Sequence, residues 1–460
     1  MTITLSMLIF LALGVILIFS WRAIPVEPTG EALRTSTVLF TLWLIASAMF
    51  GPRFLVFNIP GFFDITIERA LFALLIFTMV IGLFTGRFVS SRNYGIEIIM
   101  LVFVVICVSS MLRFGFLSPE PERFPDPWFV FITGYFFPFI VFVFAKNFLT
   151  GDQDLLVVLH ALFYFGTYLA IIAFLEFFQL RQYVYPQYIN DPDFLLHLDR
   201  ARGPFLNSGL NGMAILFGFL SGLHLFFQKR GLTQWVYIFF LSLYFPAVFF
   251  TQTRSVYLSF IVILGGLLVF YHTPFPKMKV LALPIAFLLI FVAMQSERFF
   301  SADRRTGGVL QVTEVVVRFQ LLDRSFQMVR NNPLFGVGLA QFIPESFKRY
   351  RGRGGAVAES ADEQTQHNHL MGLTVELGLF GIMTYLGVLI LIFKRIIQAR
   401  KFIPEGGLVG TNFLLISALM WAVYLNTNLF LEPSYFLFIN AVPFMFAGMA
   451  DRLFQQHVLA

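Results

Sequence analysis

Apolar runs of about 20 residues recur along almost the whole of this chain, and nothing constrains its fold more. A bilayer core is crossed by an α-helix of that length, because only a helix or a closed barrel satisfies every backbone polar group without water. The runs are continuous rather than alternating, which excludes the period-2 pattern of a transmembrane β-barrel. Only 13% of residues are charged and 58% are hydrophobic, with mean hydropathy +0.79. Soluble domains carry about 25% charged residues. The expected fold is all-α: a polytopic integral membrane protein with about 12–13 transmembrane helices and a large extracytoplasmic helical loop.

The candidate spans are 3–21, 36–50, 67–84, 96–112, 128–148, 155–178, 209–228, 232–250, 255–272, 278–295, 368–393, 408–428 and 434–450. The first run, Ile3–Trp21, has no Lys or Arg before it and no small-residue cleavage site, so it reads as a membrane helix rather than a signal peptide. The second runs into Gly51-Pro52-Arg53, and Phe57–Phe63 reads as interfacial or re-entrant. Short-loop Lys/Arg set the orientation. With the N-terminus outside, the inner loops hold Arg22, Arg34, Arg87, Arg92, Lys146, Lys229, Arg230, Lys277, Lys279, Lys394, Arg395, Arg400, Lys401 and Arg452. The outer short loops hold Arg53, Arg69, Arg113, Arg123 and Arg254. The resulting organisation is 1–178, N-terminal helices; 179–208, an extracytoplasmic loop; 209–295, central helices; 296–367, a large extracytoplasmic catalytic loop; and 368–460, C-terminal helices.

The net charge of +6 reflects the basic inner loops and leaves room for an anionic substrate. Nucleic acid is excluded as a partner, since the chain has no soluble basic domain. The single cysteine, Cys107, forms no intrachain disulfide. In the large loop, Gln311–Val329 carries Val315, Phe319, Leu322, Phe326 and Val329 at helical spacing. The stretch ends at Asn331-Asn332-Pro333, followed by a tight turn to Gly338 and a short helix over Leu339–Tyr350. Arg351–Ala358 is Gly-rich.

Chemistry concentrates where this loop enters the next span: His367-Asn368, nine residues, then Gly378-x-x-Gly381. Asn368 is a good helix N-cap. A helix N-terminus disfavours added positive charge, which keeps an imidazole at His367 neutral and suited to general base work. Glu359, Asp362 or Glu363 is positioned to orient it, and His369 is its near neighbour. Gly378 and Gly381 are read as packing glycines that position the helix. Arg254, in Thr251-Gln-Thr-Arg-Ser255, and Arg200 and Arg202, in Asp199-Arg-Ala-Arg-Gly-Pro-Phe-Leu-Asn207, fall on the same outer side. Guanidinium forks suit phosphate oxygens. Of the pair, Arg202 is preferred because it directly precedes the Gly-Pro turn. The chain has no phosphate-cradling P-loop, no His-Glu-x-x-His motif and no Cys/His cluster, so a reaction without metal or other cofactor is expected.

Together these residues resemble the O-antigen ligase and polymerase superfamily of bacterial membrane glycosyltransferases. Three stretches carry the likeness: Arg-Ala-Arg-Gly-Pro-Phe-Leu-Asn at 200–207, Thr-Arg-Ser at 253–255, and Arg318–Phe342 followed by the His-Asn and spaced glycines. The resemblance implies transfer of a glycan from an undecaprenyl-pyrophosphate-linked donor to an acceptor hydroxyl, on a glycan or a lipid-linked sugar, at the outer face of the inner membrane. It places the base at His367 and the pyrophosphate-binding arginines at Arg202 and Arg254, with Arg200 beside them, and implies an inverting mechanism. A ligase is expected. A polymerase with the same donor is the alternative, since Arg202 and Gly218 fit an Arg-x15-Gly spacing associated with polymerases. A lipid-linked glycan transporter or flippase is the alternative of another class. Its intramembrane ionisable candidates, Glu97, His160, Glu176 and His224, form no evident relay in the sequence.

Overall fold

The computed structural model describes residues 35–50, 66–84, 93–118, 120, 123–149, 151–191, 198–229, 231–272, 293, 313–350 and 367–458. The expected span Ile3–Trp21, the segment Phe57–Phe63, the span 278–295 apart from one residue, the Gly-rich Arg351–Ala358 and the acidic residues Glu359, Asp362 and Glu363 lie outside the described residues.

The described chain is helical throughout: α1 Thr35–Met49, α2 Ile67–Phe84, α3 Gly95–Phe114, α4 Pro127–Phe148, α5 Asp152–Phe177, α6 Ser208–Gln228, α7 Leu232–Phe250, α8 Arg254–Phe270, α9 Thr313–Asn331, α10 Phe342–Tyr350, α11 His369–Arg400, α12 Thr411–Phe430 and α13 Leu437–Val458. Eight of these are long and apolar enough to cross a membrane, and α1 and α8 are shorter apolar helices. This is an all-α, multi-pass membrane protein.

The bundle is built around α6 and α13, whose spans are 94% buried, while α3 at the periphery is 28% buried. Helix α13 packs on α4 and α11, α6 on α5 and α7, and α12 joins the two groups. Gly218 of α6 lies against Gly166 of α5, closer than any side chain would allow, so its place in the sequence has a packing reason. In α4, Pro138 lacks the N–H that would bond back to residue 134, and the helix widens into a π-turn at Ile132–Phe136 just before it.

One end of the bundle collects the segments that carry the candidate chemistry. The Ala201 N–H donates to the Phe250 carbonyl at 3.0 Å, and Ser208 and Thr253 share a 3.0 Å hydroxyl contact. Leu339 donates to Ser110 Oγ at 3.0 Å, and the Phe205 ring lies 6.4 Å from that of Phe436. At the other end Lys146, buried to 1% exposure, meets Glu97, Asp451 at 2.8 Å and the Asn93 carbonyl at 2.8 Å.

The large-loop helix forms where expected, but with another face inward. Val317, Leu321 and Met328 pack with Val337, Phe342 and Val375, whereas the expected Phe319 and Phe326 are 67% and 58% exposed. This helix has two apolar stripes. The stripe of Val317, Leu321 and Met328 faces Val375 of α11, leaving the phenylalanines outward.

Candidate functional site

Helix α11 is two helices, and the break between them organises the site. Gly378 has φ 66° and ψ −165°, outside the helical region. In an unbroken helix the Val375 and Glu376 carbonyls would accept from the N–H groups of Leu379 and Phe380. Here the turn that follows Pro333 takes both sides of that exchange. Val337 N–H donates to Val375 O at 2.9 Å and Gly338 N–H to Glu376 O at 2.9 Å. Leu379 N–H donates to Pro333 O at 2.9 Å, and Phe380 N–H to Leu334 O at 3.4 Å. A broken membrane helix is tolerated when the freed backbone groups find such partners. The Glu376 side chain adds a 3.3 Å acceptor for the Phe342 N–H at the start of α10.

The expectation for Gly378 is therefore corrected. It does not pack one continuous helix against another; it breaks the helix to admit a loop. A Cβ there would lie 2.3 Å from Leu334 O, and one at Gly336, with φ +68°, would lie 2.4 Å from Glu376 O. Gly381 sits one turn later, where a Cβ would meet Leu377 Cβ at 2.2 Å across the same kink.

The upper half of α11 begins as expected. Asn368 is extended, and its side-chain oxygen accepts from Met371 N–H at 3.0 Å. His367, just before it, is half-buried with a left-handed φ of 52°. His369, two residues on, is 3% exposed. Its Nδ1 donates to Glu432 Oε1 at 2.5 Å, and the Ser434 hydroxyl donates to the same oxygen at 2.6 Å. Its Nε2 lies 3.4 Å from the Tyr135 hydroxyl, which belongs to the π-turn of α4. Burial alone would raise the Glu432 carboxyl. The His369 ring beside it and the bonds from His369 and Ser434 outweigh that and hold it below its ordinary value.

The arginines separate into two kinds. Arg202 is fully buried, with Nε donating to Ile189 O at 3.0 Å and Nη2 to Ile189 O and Asp191 O. Its fork is committed to shaping the 187–191 turn. Arg200 is also buried, 3.4 Å from Asp199, but its Nε and Nη1 have no hydrogen-bond partner among the described residues. Arg202 is thus engaged by backbone carbonyls, whereas Arg200 lies beside the Asp199 carboxylate. Arg254, the first residue of α8, is exposed.

Arg318 of α9 lies within electrostatic reach of Arg254. Burial first, and then the Arg254 guanidinium, lower Arg318 from its ordinary value. Neither has an acidic partner among the described residues. Helix α9 packs on α11, which places Arg318 on a direct neighbour of the helix that His367 precedes, whereas Arg254 is on α8, which packs chiefly on α12. The sequence reading missed Arg318, Glu432 and the role of His369. Arg318 lies at the head of the block that carried the family likeness, and Glu432 is a lone carboxylate at the edge of an apolar run. Those positions were the available signals. Chemically, guanidinium groups suit an anion, and an imidazole at a capped helix start is a candidate base.

The intramembrane ionisable groups are each engaged locally. Glu97 meets Lys146, and His160 Nδ1 bonds Leu156 O at 2.7 Å. Glu176 accepts from Gly203 N–H at 3.1 Å, and His224 Nε2 bonds Leu408 O at 2.8 Å.

A family model described as O-antigen ligase matches residues 237–386. The matched stretch contains Arg254, Arg318, His367 and Gly378, and it bears out the resemblance read from the sequence. No curated protein matches the chain.

Proposed function

With the O-antigen ligase likeness as premise, we propose that this membrane glycosyltransferase moves a glycan from a polyprenyl-pyrophosphate donor to an acceptor hydroxyl without a metal. The cations at this end carry the reading: Arg318, on the helix α9 that packs on the one following His367, lies within electrostatic reach of Arg254, and neither has an acidic partner among the described residues. Like charges so placed repel unless an anion joins them, and a pyrophosphate leaving group is such an anion. Arg200 is the third cation of the site and Arg202 its structural support.

In this mechanism His367 takes the proton from the acceptor hydroxyl as that oxygen attacks the anomeric carbon. The bond to the pyrophosphate oxygen breaks, and the arginines hold the charge that develops there. Attack opposite the leaving group inverts the anomeric centre. The orientation given by the positive-inside rule puts this end of the bundle on the extracytoplasmic side of the bacterial inner membrane. Within this chemistry we favour a surface-polysaccharide ligase over a polymerase, because Gly218, which supplied the polymerase spacing, is accounted for by its contact with Gly166. The local engagement of Glu97, His160, Glu176 and His224 favours an enzyme over a transporter.

The deciding experiment uses the full chain in proteoliposomes made with the total lipid extract of native membranes, which supplies both the lipid-linked oligosaccharide donor and the glycolipid acceptor. The expected result is release of undecaprenyl pyrophosphate by the wild type and none by His367→Ala at equal protein level. Movement of the donor across vesicles without its consumption would instead establish a flippase.

A further inference from the structure

His367 holds a left-handed backbone conformation with a Cβ present, and a residue keeps such a conformation only where its surroundings impose it. The nearest rigid anchor is two residues away. The His369 ring lies between Tyr135, stacked at 5.7 Å, and Tyr385, edge-on at 5.9 Å, with Nδ1 bonded to Glu432. Glu432 is itself tied down. Ser434 bonds its carboxylate, Thr133 Oγ1 donates to Ser434 O at 2.7 Å, and Asn440 Nδ2 donates to Pro433 O at 2.8 Å. The 432–436 segment is therefore held by α4 and by the deeply buried α13, and it grips α11 at its first residue. Only the capping residue Asn368 intervenes between that grip and His367.

We infer that Glu432 is a positioning residue for His367, acting through His369. The inference rests on the glycosyl-transfer reading above. The carboxylate fixes the imidazole of His369 in one orientation, His369 fixes the first turn of α11, and that turn sets where the His367 ring meets the acceptor. A displacement of about 1 Å at a reacting group costs on the order of 100-fold in rate, so a tether of this kind acts on kcat. Glu432 touches neither substrate nor reacting atoms.

The test measures donor release by the full chain in the same proteoliposomes, with the native lipid-linked oligosaccharide pool as donor. Glu432→Ala is expected to lower kcat roughly tenfold or more while donor KM stays within about twofold. Glu432→Gln, whose amide oxygen still accepts from Nδ1, restores most of the rate. A His369→Phe/Glu432→Met double variant replaces both charged or polar partners with apolar groups of similar size, leaving the Ser434 and Tyr135 hydroxyls to re-pair, and its melting temperature checks that it folds. It is expected to show the same loss in kcat. Wild-type kcat in the double variant overturns the inference, as does a loss confined to KM or a Glu432→Gln variant no better than Glu432→Ala. His367→Ala separates the two readings: if it still transfers, the glycosyl-transfer assignment itself fails; if it is dead while the double variant is normal, only the positioning role fails.

Discussion

Charged side chains gather at both ends of this bundle, and the two ends treat them differently. At one, Lys146 is enclosed by Glu97 and Asp451, while Asp451 also faces Arg395 at 3.7 Å and accepts from Gln455 at 2.8 Å. Four helices, α3, α4, α11 and α13, meet there around a network in which opposite charges are paired. At the other, Arg254 and Arg318 lie within electrostatic reach of each other without an acid among the described residues, and Arg200, 3.4 Å from Asp199, has an Nη1 with no hydrogen-bond partner among them. Charges that hold helices together are neutralised where they stand. On the proposed mechanism, the cations that lack such pairing among the described residues hold the leaving anion.

The sharpest way to break this contrast is at the base. His367→Ala is expected to reduce transfer by about 10²- to 10⁴-fold with normal membrane accumulation, because general base catalysis is worth that much. Transfer near the wild-type rate would remove the functional half of the comparison. The paired end predicts the reverse pattern. Lys146→Ala removes the cation shared by the part-buried Glu97 and the buried Asp451, which keeps Arg395 at 3.7 Å; this class of change costs up to about 3–5 kcal/mol, so detergent melting temperature and folded yield fall. A stable Lys146→Ala protein would show that the cluster does not hold the helices.

Arg254→Ala and Arg318→Ala are expected to weaken donor binding or turnover by roughly 10- to 100-fold each, the worth of a hydrogen bond to a charged group. Their melting temperatures should be unchanged or higher, since each variant relieves a like-charge repulsion. A loss of stability without loss of turnover would assign them a structural role. Gly378→Ala is expected to destabilise by at least roughly 1–2 kcal/mol from its left-handed φ alone, with the clash on Leu334 added. Increased protease access to the 333–340 turn is the readout.

The smallest effect is on pH. The Glu432 carboxyl is held below its ordinary value, so its contribution to stability is fully present above pH 4.5 and is lost as the pH falls through the depressed value. In a wild-type chain with the acid limb of a melting-temperature profile recorded below pH 4.5, Glu432→Gln should flatten that limb. An unaltered limb would assign the acid loss to other carboxylates.

The chain's apolar periodicity determined its all-helical membrane architecture, because a helix of that length is the only open structure the bilayer tolerates, and the described spans fall within a few residues of those read from sequence. The cap at Asn368 was equally legible, since capping depends on a side chain and the backbone two or three residues ahead. What only the tertiary structure decided is non-local. The break at Gly378 exists because a turn some forty residues earlier supplies the missing hydrogen bonds. Arg202 is held by the carbonyls of Ile189 and Asp191, while Arg200, two residues earlier, lies beside Asp199. Val317 and Leu321 face inward in place of Phe319 because α11 offers a surface that fits them. Glu432 meets His369 through the packing of α4, α11 and α13, a contact across 63 positions that no local pattern encodes.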